Sequence, residues 1–156
     1  MSEGRLEFLC FDVGRRRFAV DIRVVREILR PRPLTRVPGA PPTLRGVFNL
    51  RGELIPVADV HRILGEVPPP RAGEEAKLLV VHPGGRPFGI EVDRLAEVES
   101  VPLDALAPVP GSEEPGASLV VAMFRRTDAA EDVVLVLRAG ALLPEPVVKE
   151  VTHEGV

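Results

Sequence analysis

One stretch of this chain is written twice. Residues 8–30 reappear as residues 78–100 at an offset of 70: Gly14 meets Gly84, Arg16 meets Arg86, Phe18 meets Phe88 and Glu27 meets Glu97. The apolar positions follow, pairing Phe8 with Leu78, Val20 with Ile90, Ile22 with Val92, Val25 with Leu95 and Ile28 with Val98. After two residues of slippage, Val37-Pro38-Gly39 matches Val109-Pro110-Gly111. Further on, Val47 and Leu50 correspond to Val121 and Phe124, and Ile63-Leu64 to Leu142-Leu143. Agreement at so many spaced positions marks a duplicated unit. With 156 residues in all, each copy has about 70, which is marginal for an independent core. The two copies must share packing.

Each unit reads as β-rich. An apolar strand (6–13; 76–82) turns at a glycine and returns as an alternating strand through Phe18, Val20 and Ile22, or Phe88, Ile90 and Val92. After Asp21, the spacing of Ile22, Val25, Ile28 and Leu29 predicts two helical turns, whereas 95–101 reads as a strand. A short strand is expected around Leu34 to Val37, before a loop containing Pro38, Pro41 and Pro42. The clearest local signal is LRGVFNLRGELIPVADV at 44–60: two apolar runs flank Arg51-Gly52-Glu53, so a tight turn presents Arg51 at a corner. Pro56 belongs where no neighbouring strand needs its nitrogen, and Asp59 stands as an N-cap before VHRIL.

Short strands at regular spacing with Gly/Pro turns suggest a mainly β chain of two small barrels, with short helices, rather than a parallel sheet. The expected division is one subdomain over approximately 15–75 and a second over 76–143, with the N-terminal strand open to exchange between them and a tail at 144–156. The connector GEVPPPRAGEE (65–75) has three consecutive prolines and reads as a stiff strap. GSEEPGAS (111–118) reads as a surface loop.

Composition narrows function. Twenty basic and 23 acidic residues give a net charge of -3, which argues against a nucleic-acid or anionic-membrane binder. Six Phe, with no Trp or Tyr, leave no stacking platform for single strands. Arg15-Arg16-Arg17 is expected to be a charged hairpin tip in solvent. The single cysteine, Cys10, sits in LEFLCF and reads as a buried strand thiol. MSEGRLEF has no signal-peptide core, and a cytoplasmic location is expected.

Catalytic groupings are missing from the pattern. His61, His82 and His153 lack metal-ligand spacing, and Ser2, Ser100, Ser112 and Ser118 lack a nucleophile-elbow context. Gly84-Gly85 is a turn with no phosphate-loop sequel, so no cofactor or metal is expected.

The blocks FAVDIRVVREIL (18–29), GVFNLRGELIPVADV (46–60) and FGIEVDRLAEV (88–98) together resemble the CheW-like domain of bacterial chemotaxis adaptors, over about residues 6–143. The resemblance implies two intertwined five-stranded SH3/OB-like barrels around a shared core, and no catalysis. It implies an adaptor that bridges a chemoreceptor's cytoplasmic helical tip to the regulatory domain of a CheA-type histidine kinase, in chemotaxis or a related chemosensory pathway. It places a receptor-facing surface on Val25 and Glu27, a functionally sensitive arginine at Arg51, and a groove between the halves that includes Phe48 and Leu95. Val25 and Leu95 are equally readable as core, and Glu27 as a solvated charge. Some relatives carry an acidic and an aromatic residue, for a second kinase surface, where this chain has Gly111-Ser112. Two other classes compete: an OB-type barrel binding oligonucleotides, and a small hydrolase or metal enzyme.

Overall fold

The computed structural model describes residues 4–109, 119–126 and 129–143. Its strands are β1 (Arg5–Val13), β2 (Arg16–Asp21), β3 (Val25–Leu29), β4 (Leu44–Leu50), β5 (Glu53–Ala58), β6 (Lys77–Val81), β7 (Phe88–Val92), β8 (Arg94–Pro102), β9 (Val120–Arg126) and β10 (Ala129–Leu137). A short helix, α1 (Val60–Leu64), follows β5, with Asp59 accepting from the Arg62 amide as its N-cap.

Two five-stranded sheets result, ordered β8-β1-β2-β10-β9 and β3-β6-β7-β5-β4. Read position by position, the second order is the first with every strand replaced by its repeat equivalent. Even the parallel pairings correspond: β10 runs beside β2 as β5 runs beside β7. Each copy therefore lends its leading hairpin to the other copy's sheet. The division expected at 75/76 cuts across both sheets, because β1 and β2 sit with β8, β9 and β10, while β6 and β7 sit with β3, β4 and β5. A whole hairpin is exchanged on each side, not one strand.

Neither sheet closes into a barrel by backbone pairing among the described residues: β8 and β9 stay edges of one, β3 and β4 edges of the other. The core is layered accordingly. Leu9, Phe11 and Val13 of β1 and Leu79 and Val81 of β6 face a shared central cluster with Phe18, Phe88 and Ile90. The alternate residues face outward into separate clusters, Phe8 and Cys10 with Phe124 and Val134, and Leu78 and Val80 with Phe48 and Ile55. β1 and β6 are thus buried on both faces, which is why both read as unbroken apolar runs.

Three local readings change. The segment predicted as two helical turns after Asp21 is one 3-10 turn, Ile22–Val24, followed by strand β3. Two turns lie far below the length at which a helix sustains itself, and β6 offers β3 a strand to pair with. The strand expected at 34–37 shrinks to a single bridge, Thr35 to Val47, in a segment studded with prolines that lack donors. Finally, β4 and β9 align two residues away from the sequence pairing. The bridges Thr35–Val47 and Ala107–Met123 match Val47 with Met123, so Phe48 corresponds to Phe124. A two-residue slip keeps every side chain on its face, so alternation alone could not detect it.

Candidate partner-binding site

The β4–β5 hairpin closes at Leu50–Glu53, leaving a two-residue turn in which Arg51 (φ 51°) and Gly52 (φ 88°) both adopt left-handed backbone. This is the type I′ geometry that matches the twist of paired strands. The Asn49 side-chain oxygen accepts from the Gly52 amide at 2.8 Å and fixes the turn. Pro56 pairs with Val47, a non-hydrogen-bonded site counted from the closing pair, so β4 does not need its nitrogen. Arg51 is the one non-glycine with positive φ among the described residues, a conformation that costs an L-residue about 1 kcal/mol or more.

The turn reaches across the open side of its sheet. Arg51 Nη2 donates to Glu27 Oε2 on β3, and Arg26 on β3 pairs with Glu53 at 3.3 Å. Since β3 and β4 are opposite edges of the sheet, these two ion pairs join what the backbone leaves open. The other sheet does the same: Arg126 on β9 meets Glu97 on β8 at 3.5 Å. Glu27 and Glu97 are repeat equivalents. The difference is exposure. Arg126 has 18% of its side chain exposed and also reaches Asp132 at 3.3 Å, whereas Arg51 has 65% exposed. The equivalence of Glu27 with Glu97 was readable from the offset; the arginines that meet them are not repeat equivalents, since the closing pairs Leu50–Glu53 and Arg126–Ala129 match Arg126 with Leu50.

The remaining sequence-selected residues are separated. Val25 and Leu95 lie on different sheets, each half-buried against the central core. Phe48 is 5% exposed inside its own sheet's cluster, with the Arg32 guanidinium 5.2 Å above its ring. Phe48 and Leu95 pack into different clusters, and neither lines the concavities beside Arg17, Arg36 or Arg71. Glu27 and Arg51 meet; Val25 stands two residues from Glu27 on the same strand.

Chemistry elsewhere is structural. Cys10 is buried, and burial above all, with Glu99 adding, pushes its thiol up to about 12. His61, on α1, is buried and donates from Nε2 to Asp93 at 3.0 Å, and Asp93 accepts the Gly14 amide at 2.7 Å. His82 donates to the Gly85 carbonyl at 2.8 Å, while His153 lies outside the described residues. No cluster of metal-ligating side chains occurs among the described residues. The basic tip is less free than the sequence suggested: Arg16 pairs with Glu66 at 3.4 Å, and Arg17, largely covered, binds Asp12 at 2.8 Å. The loop at 111–118 and the tail from 144 lie outside the described residues. No described helix is long and apolar enough to cross a membrane.

The model of the CheW-like domain matches residues 7–147. This chain belongs to the CheW-like domain family. It is 29% identical to the chemotaxis protein CheW of Helicobacter pylori over 142 residues, covering 91% of this chain and 84% of that one. It is 31% identical to the protein FrzA of Myxococcus xanthus over 131 residues, covering 83% and 80%. The crystal structure of the scaffolding protein TtCheW from Thermoanaerobacter tengcongensis aligns with a TM-score of 0.75 at 22% identity, over 85% of this chain and 88% of that one, and bears on the fold alone. Within this family the chain is a non-catalytic adaptor of chemosensory signalling, and the oligonucleotide and hydrolase readings fall away.

Proposed function

We propose that this CheW-like chain works in the cytoplasm, coupling a chemoreceptor's cytoplasmic helical tip to the regulatory domain of a CheA-type histidine kinase. The observation that carries the receptor half is the exposed Arg51–Glu27 pair at the open side of its sheet. An exposed ion pair contributes only about 0–1 kcal/mol, so Arg51 can exchange Glu27 for a partner's carboxylate at little cost to the fold. Its planar fork suits that acceptor. Val25, on the same strand, supplies adjoining apolar surface, while Phe48 supports the hairpin from beneath.

A coupling protein also needs a second surface. The duplication leaves Ile28 and Leu54 exposed on one sheet, and their repeat equivalents Val98 and Val133 exposed on the other. The registers Leu54–Asn49 and Val133–Arg125 confirm that equivalence. Ile28 and Leu54 flank the Arg51 hairpin, while Val98 and Val133, on the other sheet, offer an apolar face for a kinase domain distinct from Arg51. Holding both partners raises their effective concentration for each other, and no group on the protein has to react. Calorimetry against the cognate kinase regulatory domain tests the reading: heat at micromolar protein is expected, and no heat from folded protein would overturn it.

A further inference from the structure

The connection between β3 and β4 is not a slack loop. Thr35 exchanges two backbone hydrogen bonds with Val47 at 2.8 and 2.9 Å, Ala40 donates to the Val37 carbonyl, and Leu44 to that of Pro41. Pro31, Pro33, Pro38, Pro41 and Pro42 stiffen what lies between. The loop, β4, α1 and β7 together wall a concavity of about 720 Å³, within the range of small-ligand sites. Its lining is unusual for a chain of net charge -3. Arg32, Arg36, Arg45 and Arg62 face it, against two carboxylates, Asp59 and Glu91, a local excess of two positive charges.

The carboxylates are already engaged, Glu91 with Arg45 at 3.3 Å and Asp59 with Arg62 at 3.8 Å. Arg36 and Arg32 have no acidic partner among the described residues; Arg32 is instead steadied over Phe48 at 5.2 Å. Arginines from three separate elements thus line one concavity, two of them without an acidic partner among the described residues. This is the arrangement that binds a compact anion bidentately. An extended acidic segment would be matched better by a row of charges along a strand or helix. We propose that this concavity is a binding site for a small phosphate-bearing metabolite, giving the adaptor a ligand input separate from the Arg51 surface.

The test is calorimetric titration of the full chain with pyrophosphate, beside Arg36→Gln, Arg36→Lys and, as a control outside the site, Arg15→Gln. The site predicts saturable binding that weakens as salt rises, a loss of about tenfold or more in Arg36→Gln, a smaller loss in Arg36→Lys, and none in Arg15→Gln. Arg36 is exposed, so its variants should keep the parent melting temperature. The proposal is overturned by absence of heat at roughly 5 mM pyrophosphate. Equal affinity in folded Arg36→Gln would also overturn it. Binding of a glutamate-rich peptide in place of pyrophosphate would make the face a protein-docking surface and reject the metabolite site.

Discussion

Arg51 stands under two opposing demands. Its left-handed backbone disfavours any residue with a Cβ, yet only a long cation there can reach Glu27 across the open sheet. Arg51→Gly should therefore leave the melting temperature unchanged or slightly raised, because relief of roughly 1 kcal/mol of backbone cost outweighs a weak exposed pair. The same variant should lose receptor binding. Arg51→Glu places a second carboxylate beside Glu27, so thermal scanning should show a modest drop, within about 1 kcal/mol, with receptor coupling abolished. Cys10 makes the opposite kind of prediction, one about silence. With its thiol held at about 12 against an ordinary 9.0, it should resist thiol reagents at neutral pH until the chain unfolds. The sign of the linkage follows. Below pH 9 the thiol is neutral in both states and its contribution is intact; between 9 and 12 only the unfolded chain ionises, so stability falls as pH rises. In Cys10→Ala, denaturant melts across that window should show a shallower alkaline decline.

The elements divide into those a local pattern dictates and those that tertiary partners dictate. The β4–β5 hairpin and the Asp59 cap were legible because turn and cap chemistry reside in adjacent residues. The 3-10 turn and strand at 22–29 were not, because the identity of that segment depends on the edge β6 presents. The match of Phe48 to Phe124 was invisible to a pattern of period two. Of the site, Glu27 and Arg51 were legible as individual residues, but their contact depends on how the sheet curves. A single glycine shows how closely the Arg-rich loop is fitted to β4. A Cβ at Gly46 would lie 2.7 Å from the Thr35 carbonyl oxygen and 3.0 Å from Leu34 Cβ. Backbone cannot swing aside as a side-chain tip can, so Gly46→Ala should cost about 1–3 kcal/mol, read as a lowered denaturation midpoint with unchanged m-value.

At the scale of the molecule, the exchange of hairpins makes the two copies mutually dependent. Residues 1–70 contain β3, β4 and β5 but lack β6 and β7, the strands that lie between β3 and β5 in their sheet. That fragment should be unfolded by circular dichroism, and the full chain should melt in one transition at every probe. Such mutual dependence suits the coupling role proposed above, since docking faces built on a shared core would keep a fixed relation to each other. The coupling claim is tested most directly by sedimentation of the chain mixed with a receptor-tip helical fragment and the cognate kinase regulatory domain, each separately labelled. The account predicts a single boundary carrying both labels for the parent, and for Arg51→Glu a boundary carrying the kinase label alone. Competition, in which the receptor fragment displaces the kinase domain and no boundary carries both labels, would contradict it.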